Sequence, residues 1–79
     1  MNHTKNSGLV IYGKPNCPFC TKAVRLAESK NMKFRYLVLG VDYDRQYLLD
    51  LVPNARSVPQ IFIDENHIGG FNEFQAHLK

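Results

Sequence analysis

The sequence predicts an α/β sandwich, a four-stranded mixed sheet flanked by three helices in the order βαβαββα. Two pairings carry that reading. Near the N-terminus, the apolar run Gly8-Leu9-Val10-Ile11-Tyr12-Gly13 precedes apolar positions at helical spacing and then the strand-like Phe34-Arg35-Tyr36-Leu37-Val38-Leu39. A strand, helix and strand in succession call for a parallel crossover. Near the C-terminus, Gln60-Ile61-Phe62-Ile63-Asp64 and His67-Ile68-Gly69 stand one tight turn apart, which calls for an antiparallel hairpin. A chain of 79 residues holds one small core, so a single domain over residues 1–79 is expected, with the polar residues 1–7 as a flexible lead-in.

Each element follows from local chemistry. The first strand is continuously apolar and bounded by glycines, as a strand buried on both faces should be. Pro15 and Asn16 make a turn, and from about Cys17 to Ser29 the apolar positions Cys20, Ala23, Val24 and Ala27 share a helical face, with Lys22, Arg25 and Glu28 turned away. Pro18 falls in the first turn, where a missing amide hydrogen costs nothing. Lys30-Asn31 closes this helix. The second strand ends at Gly40, and Asp42 is the expected cap of a second helix whose inner face carries Tyr43, Tyr47, Leu48, Leu51 and Val52. Pro53-Asn54 stops it. Glu65-Asn66 is the expected hairpin turn, and the last helix, from about Gly70 to Leu78, buries Phe71, Phe74 and Leu78.

Composition narrows the function classes. Hydrophobic residues make up 44% and charged residues 22%, the proportions of a folded globular chain. No apolar run approaches the roughly 18 residues that span a bilayer, and Met1 to Ser7 lacks the apolar core of a signal peptide. A soluble cytoplasmic protein without a membrane partner is the expectation. The net charge of +3 is spread along the chain without dense Lys/Arg clusters, which argues against nucleic acid.

Both cysteines lie in Asn16-Cys17-Pro18-Phe19-Cys20. A bridge across so small a loop removes little chain entropy, so its use is chemical rather than structural. Cys17 falls at the start of the first helix, where free amides and the helix dipole favour a thiolate over the free thiol's pKa of about 8.5. Lys14 brings positive charge to the same approach loop. Cys20, one turn on, is better shielded, so Cys17 is the expected nucleophile and Cys20 the resolving thiol. Zinc would need four ligands, and His3, His67 and His77 stand far from the pair without ligand spacing. An iron–sulfur cluster shared between two copies and a pair of inert buried thiols remain as alternatives.

Ser57-Val58-Pro59 precedes the third strand, where proline is tolerated only at a strand start or edge. A cis Val58–Pro59 bond would turn the Val58 backbone outward to pair with an extended thiol substrate. A trans proline that simply begins the strand is the plainer alternative.

Taken together, Tyr12-Gly13-Lys14-Pro15-Asn16-Cys17-Pro18-Phe19-Cys20, Ser57-Val58-Pro59-Gln60-Ile61-Phe62-Ile63 and His67-Ile68-Gly69-Gly70 resemble the dithiol glutaredoxins, over essentially residues 8 to 79. The resemblance implies a thioredoxin-like three-layer sandwich and a cis proline opposite the active site. It also implies a redox disulfide Cys17–Cys20 and glutathione as reductant and co-substrate, with no bound cofactor and no metal. The implied partners are glutathione and disulfide-containing proteins such as ribonucleotide reductase, met by a monomer. For the glutathione groove it implies Lys14 and Gln46 near a carboxylate, the Val58 backbone beside Pro59 on the cysteinyl unit, and Gly70 with Phe71, Asn72 and Glu73 beyond it. Phe19 stands where the family often has tyrosine, and Phe71-Asn72-Glu73 differs from the family's usual small and acidic residues. Thioredoxin is a poorer match, since tryptophan and a Gly-Pro pair between the cysteines are both missing. Two rival functions follow from the same residues: a redoxin reduced by thioredoxin reductase, and an iron–sulfur carrier.

Overall fold

The computed structural model describes residues 8–79, so the predicted lead-in lies outside the described residues. The elements are β1 (Val10–Gly13), α1 (Pro18–Ser29), β2 (Arg35–Val38), α2 (Arg45–Leu51), β3 (Gln60–Ile63), β4 (Asn66–Gly69) and α3 (Phe71–His77). Strands lie in the order β2-β1-β3-β4, with β1 parallel to β2 and antiparallel to β3, and β3 antiparallel to β4. The mixed sheet is therefore the predicted one, with the predicted crossover and hairpin.

Alternation along the strands sorts the core into two layers. Ile11 and Ile61 are fully buried with Ala23 and Ala27 of α1 and Phe74 of α3. On the opposite face Tyr12 gathers Tyr43 and Leu48 from the α2 segment, with Val10, Leu37, Val58 and Phe62 around them. The small alanines of α1 bring its backbone close to the sheet, and Phe74 fills the space beside it. Phe71 and Leu78 are only partly buried, so α3 is anchored mainly by Phe74.

Three local expectations are corrected. The cap of α2 is Asp44, whose Oδ1 accepts the Tyr47 amide at 2.9 Å. Asp42 instead turns back and accepts the Val38 amide at 2.8 Å, closing the turn that leaves β2. A cap must stand two or three residues before the amide it satisfies, and Asp42 stands too far upstream. The hairpin turn is Asp64-Glu65 rather than Glu65-Asn66; both residues have positive φ (52° and 71°), as a two-residue turn matched to strand twist requires. Asn66 opens β4. Finally, Leu48 and Val52 of the α2 face are buried, but Tyr47 and Leu51 are 50% and 43% exposed, because this short helix covers only part of the sheet.

Candidate active site

The chain leaves β1 at Gly13 and reverses through Asn16, whose φ of 56° lies in the left-handed region that asparagine tolerates. Cys17 then takes an extended conformation as the N-cap of α1, with Pro18 at the first helical position. Its Sγ accepts the Cys20 amide hydrogen at 3.3 Å, so sulfur does the work that an oxygen usually does at a cap. Cys17 and Cys20 form a disulfide, with Cα atoms 5.2 Å apart. Cys17 is partly exposed, whereas Cys20 has no exposed surface. No acidic residue occupies the first turn of α1, so that turn sets no carboxylate against negative charge on Cys17. The order of accessibility matches the expected order of attack.

Facing the pair, the Val58–Pro59 peptide bond is cis. Cys17 Sγ lies 3.7 Å from the Val58 carbonyl oxygen. In the disulfide that sulfur carries no hydrogen, so this is a close approach; a reduced Cys17 thiol has an acceptor at the same spot. Beside them opens a groove of about 550 Å³. Of the residues expected in it, Phe19, Val58, Pro59, Gly70, Phe71, Asn72 and Glu73 all line it. The Phe19 ring, 51% exposed, stands 6.1 Å from the Phe71 ring and carries the Lys22 ammonium 4.8 Å from its centroid. Two aromatic rings thus form an apolar lip.

At the α3 end, Gly69 has a φ of 130°, and a Cβ there would meet the Glu73 side chain at 2.8 Å, so only glycine fits. Glu73 reaches back to accept the Gly70 amide hydrogen at 2.9 Å, so that amide is not open to an incoming anion here.

Two expected residues stand apart from this groove. Lys14 lines a smaller neighbouring cavity of about 160 Å³, which shares Ser57 and Val58 with the groove and adds Arg45 and Arg56. Gln46 donates from Nε2 to Asp50 Oδ1 at 2.9 Å on the exposed side of α2 and lines neither cavity. Conversely, sequence reasoning missed Arg45, Arg56, Ser57 and Gln60. Arg56 and Ser57 directly precede Val58-Pro59, a proximity that was available as a signal; Arg45 comes close only through the fold.

A cysteine pair that opens and closes at the mouth of a groove, with its second sulfur inaccessible, exchanges dithiol for disulfide, the chemistry of a thiol–disulfide oxidoreductase. Comparison with known proteins narrows the class. The glutaredoxin family model matches residues 9–68. Glutaredoxin of Vibrio cholerae is 38% identical over 78 residues, covering 90% of each chain. Glutaredoxin 1 of Francisella tularensis, crystallised with cacodylate, superposes with a TM-score of 0.77 at 32% identity over 90% of this chain and 91% of that one. A buckwheat glutaredoxin–glutathione complex superposes with a TM-score of 0.76 at 28% identity, over 92% of this chain and 71% of its own. The chain belongs to the glutaredoxin family, and its fold is thioredoxin-like.

Proposed function

We propose that the protein is a glutathione-dependent dithiol–disulfide oxidoreductase acting on protein disulfides and glutathione mixed disulfides. The observation that carries the reading is the position of Cys17 Sγ: capped by the Cys20 amide, 3.7 Å from the Val58 carbonyl, and beside the groove. In the reduced protein the Cys17 thiolate attacks one sulfur of a substrate disulfide, forming a mixed disulfide and releasing the other sulfur as a thiolate that takes a proton from water. Cys20, giving up its proton, then attacks Cys17 Sγ. The second substrate thiol leaves, and the Cys17–Cys20 disulfide closes, so two electrons have passed to the substrate.

Glutathione restores the dithiol. One glutathione thiolate attacks Cys17 Sγ and frees Cys20; a second attacks the glutathione sulfur of that mixed disulfide, leaving oxidised glutathione and the Cys17 thiolate. The tripeptide suits the groove: its cysteinyl unit pairs with the Val58 backbone beside Pro59, and Phe19 and Phe71 cover its apolar atoms. Asn72 and Glu73, next to Gly70, meet the γ-glutamyl end. Lys14 serves the other carboxylate, with Arg45 and Arg56 lining the cavity around it; Gln46 joins them only by leaving Asp50. A disulfide-bearing enzyme such as ribonucleotide reductase is a suitable protein substrate for a monomer of this kind in a reducing cytoplasm.

Turnover of a glutathionylated peptide with glutathione and glutathione reductase, set beside turnover with thioredoxin reductase, tests the reading. Support by glutathione is expected. Cys17→Ser should abolish activity, whereas Cys20→Ser should lose protein-disulfide reduction and retain removal of glutathione from a mixed disulfide. Reduction by thioredoxin reductase alone would overturn the proposal.

A further inference from the structure

A polar connection runs from β4 to the wall of the groove, which Gln60 and Ser57 help to line. Gln60, the first residue of β3, is buried, and both ends of its amide are used. Nε2 donates to the Ser57 carbonyl at 2.8 Å, and Oε1 lies 2.6 Å from His67 Nε2 on β4. Because an amide oxygen only accepts, His67 Nε2 must carry the hydrogen of that bond. The Ser57 carbonyl sets which way round the amide sits: it can only accept, so it must face the Gln60 NH₂, and this leaves Oε1 toward His67. The His67 ring is itself seated on Phe62, with centroids 5.1 Å apart.

We infer that Gln60 and His67 are positioning residues that aim the Val58 amide hydrogen at the cysteinyl backbone of the bound substrate. The link is one peptide plane. Ser57 C=O and Val58 N–H belong to the same trans peptide unit, in which carbonyl and amide hydrogen point in opposite directions. Tying the Ser57 oxygen to Gln60 therefore turns the Val58 hydrogen the other way. Val58 lies outside every strand, so no ladder partner claims its amide, and its side chain is anchored in the Tyr12–Tyr43–Leu48 cluster. The inference rests on the glutathione reading for the identity of the substrate, but the aim of the amide does not depend on it.

Two measurements test it. In ¹⁵N-labelled protein without substrate, the direction of the Val58 N–H, read from residual dipolar couplings, should change in Gln60→Leu, while the couplings of Ile11 and Ile61 stay as in the wild type. Gln60→Glu keeps the acceptor for His67 and loses the donor to Ser57, so it should act like Gln60→Leu at Val58 while holding β3 to β4. His67→Phe should act in the same direction more weakly, and adding it to Gln60→Leu should produce no further change, because His67 acts through Gln60. In turnover of a glutathionylated peptide, KM should rise about tenfold in Gln60→Leu, with kcat changed less than about twofold. An unchanged Val58 N–H direction in both Gln60 variants would overturn the inference, as would a fall in kcat with KM unmoved. Should the wild-type protein not use glutathione, the function proposal fails alone; the Val58 N–H direction and the KM for a disulfide-linked peptide still decide this one.

Discussion

The two faces of the sheet are built differently. On the α1/α3 face, Ile11, Ile61, Ala23, Ala27 and Phe74 have no exposed surface, and every buried member of that layer is apolar. On the α2 face the buried residues include two tyrosines, the helix has seven residues, and an open groove of about 730 Å³ remains between Tyr12, Tyr47, Leu51, Phe62 and the β2 strand start at Arg35. The first face holds the fold together. The second trades packing for polar handles, and those handles reach the active-site loops: Tyr43 Oη donates to the Gly13 carbonyl at 2.7 Å, one residue before Lys14, and Val58 rests on the same cluster.

If that division holds, the largest loss of stability comes from the closed face. Phe74→Ala should lower unfolding free energy by about 3–5 kcal/mol in urea titration, since its cavity cannot fill from either helix. A loss under about 1 kcal/mol would break the comparison. The next effect is alkaline. Burial, with the neighbouring Tyr47, pushes the Tyr12 phenol up to about 12, and burial also raises Tyr43. The folded state holds these protons more tightly than the unfolded chain, so the stability is intact below about pH 10 and falls as pH climbs toward 12. Melts across that range should show the decline, on the order of 2 kcal/mol for Tyr12, and Tyr12→Phe should flatten it.

Smaller again is Tyr43→Phe, at about 1 kcal/mol, because the Gly13 carbonyl keeps the Leu39 amide at 2.9 Å. Its sharper signature is a shift of the Lys14 amide resonance, because that N–H belongs to the peptide unit whose carbonyl Tyr43 holds. Smallest is Leu51→Ala, expected within about 0.5 kcal/mol because the residue is 43% exposed beside the open groove. A loss like that of Phe74→Ala would mean the α2 face is closed by something the chain itself supplies.

Legibility in the sequence followed the range of the interaction. The order of elements and the mixed sheet were readable because apolar runs, glycines and prolines act within a few residues. So was Cys17 at a helix start, through Pro18. Errors clustered where two nearby residues compete for one role, as with Asp42 against Asp44 and Asn66 against Asp64, since one atom position decides and spacing is too coarse. Val58 and Pro59 were legible as a proline at a strand start, but Phe19 and the Gly70–Glu73 stretch came into the groove only by resemblance. The turn of Gln46 to Asp50, four residues on in the same helix, was legible but unread, whereas nothing local announced that Arg45 joins Lys14 across the fold.

By itself, then, the sequence determined the βαβαββα order and the place of the two thiols, because helix starts, turns and strand runs are set by neighbours along the chain. The tertiary structure decided what Cys17 faces. A sulfur 3.7 Å from a carbonyl 41 residues away, and a Gln60 amide held between β4 and the Ser57 carbonyl, exist only once the sheet has closed. Hydrogen-bond geometry is fixed to tenths of an ångström, and only packing from both faces of the sheet supplies that precision.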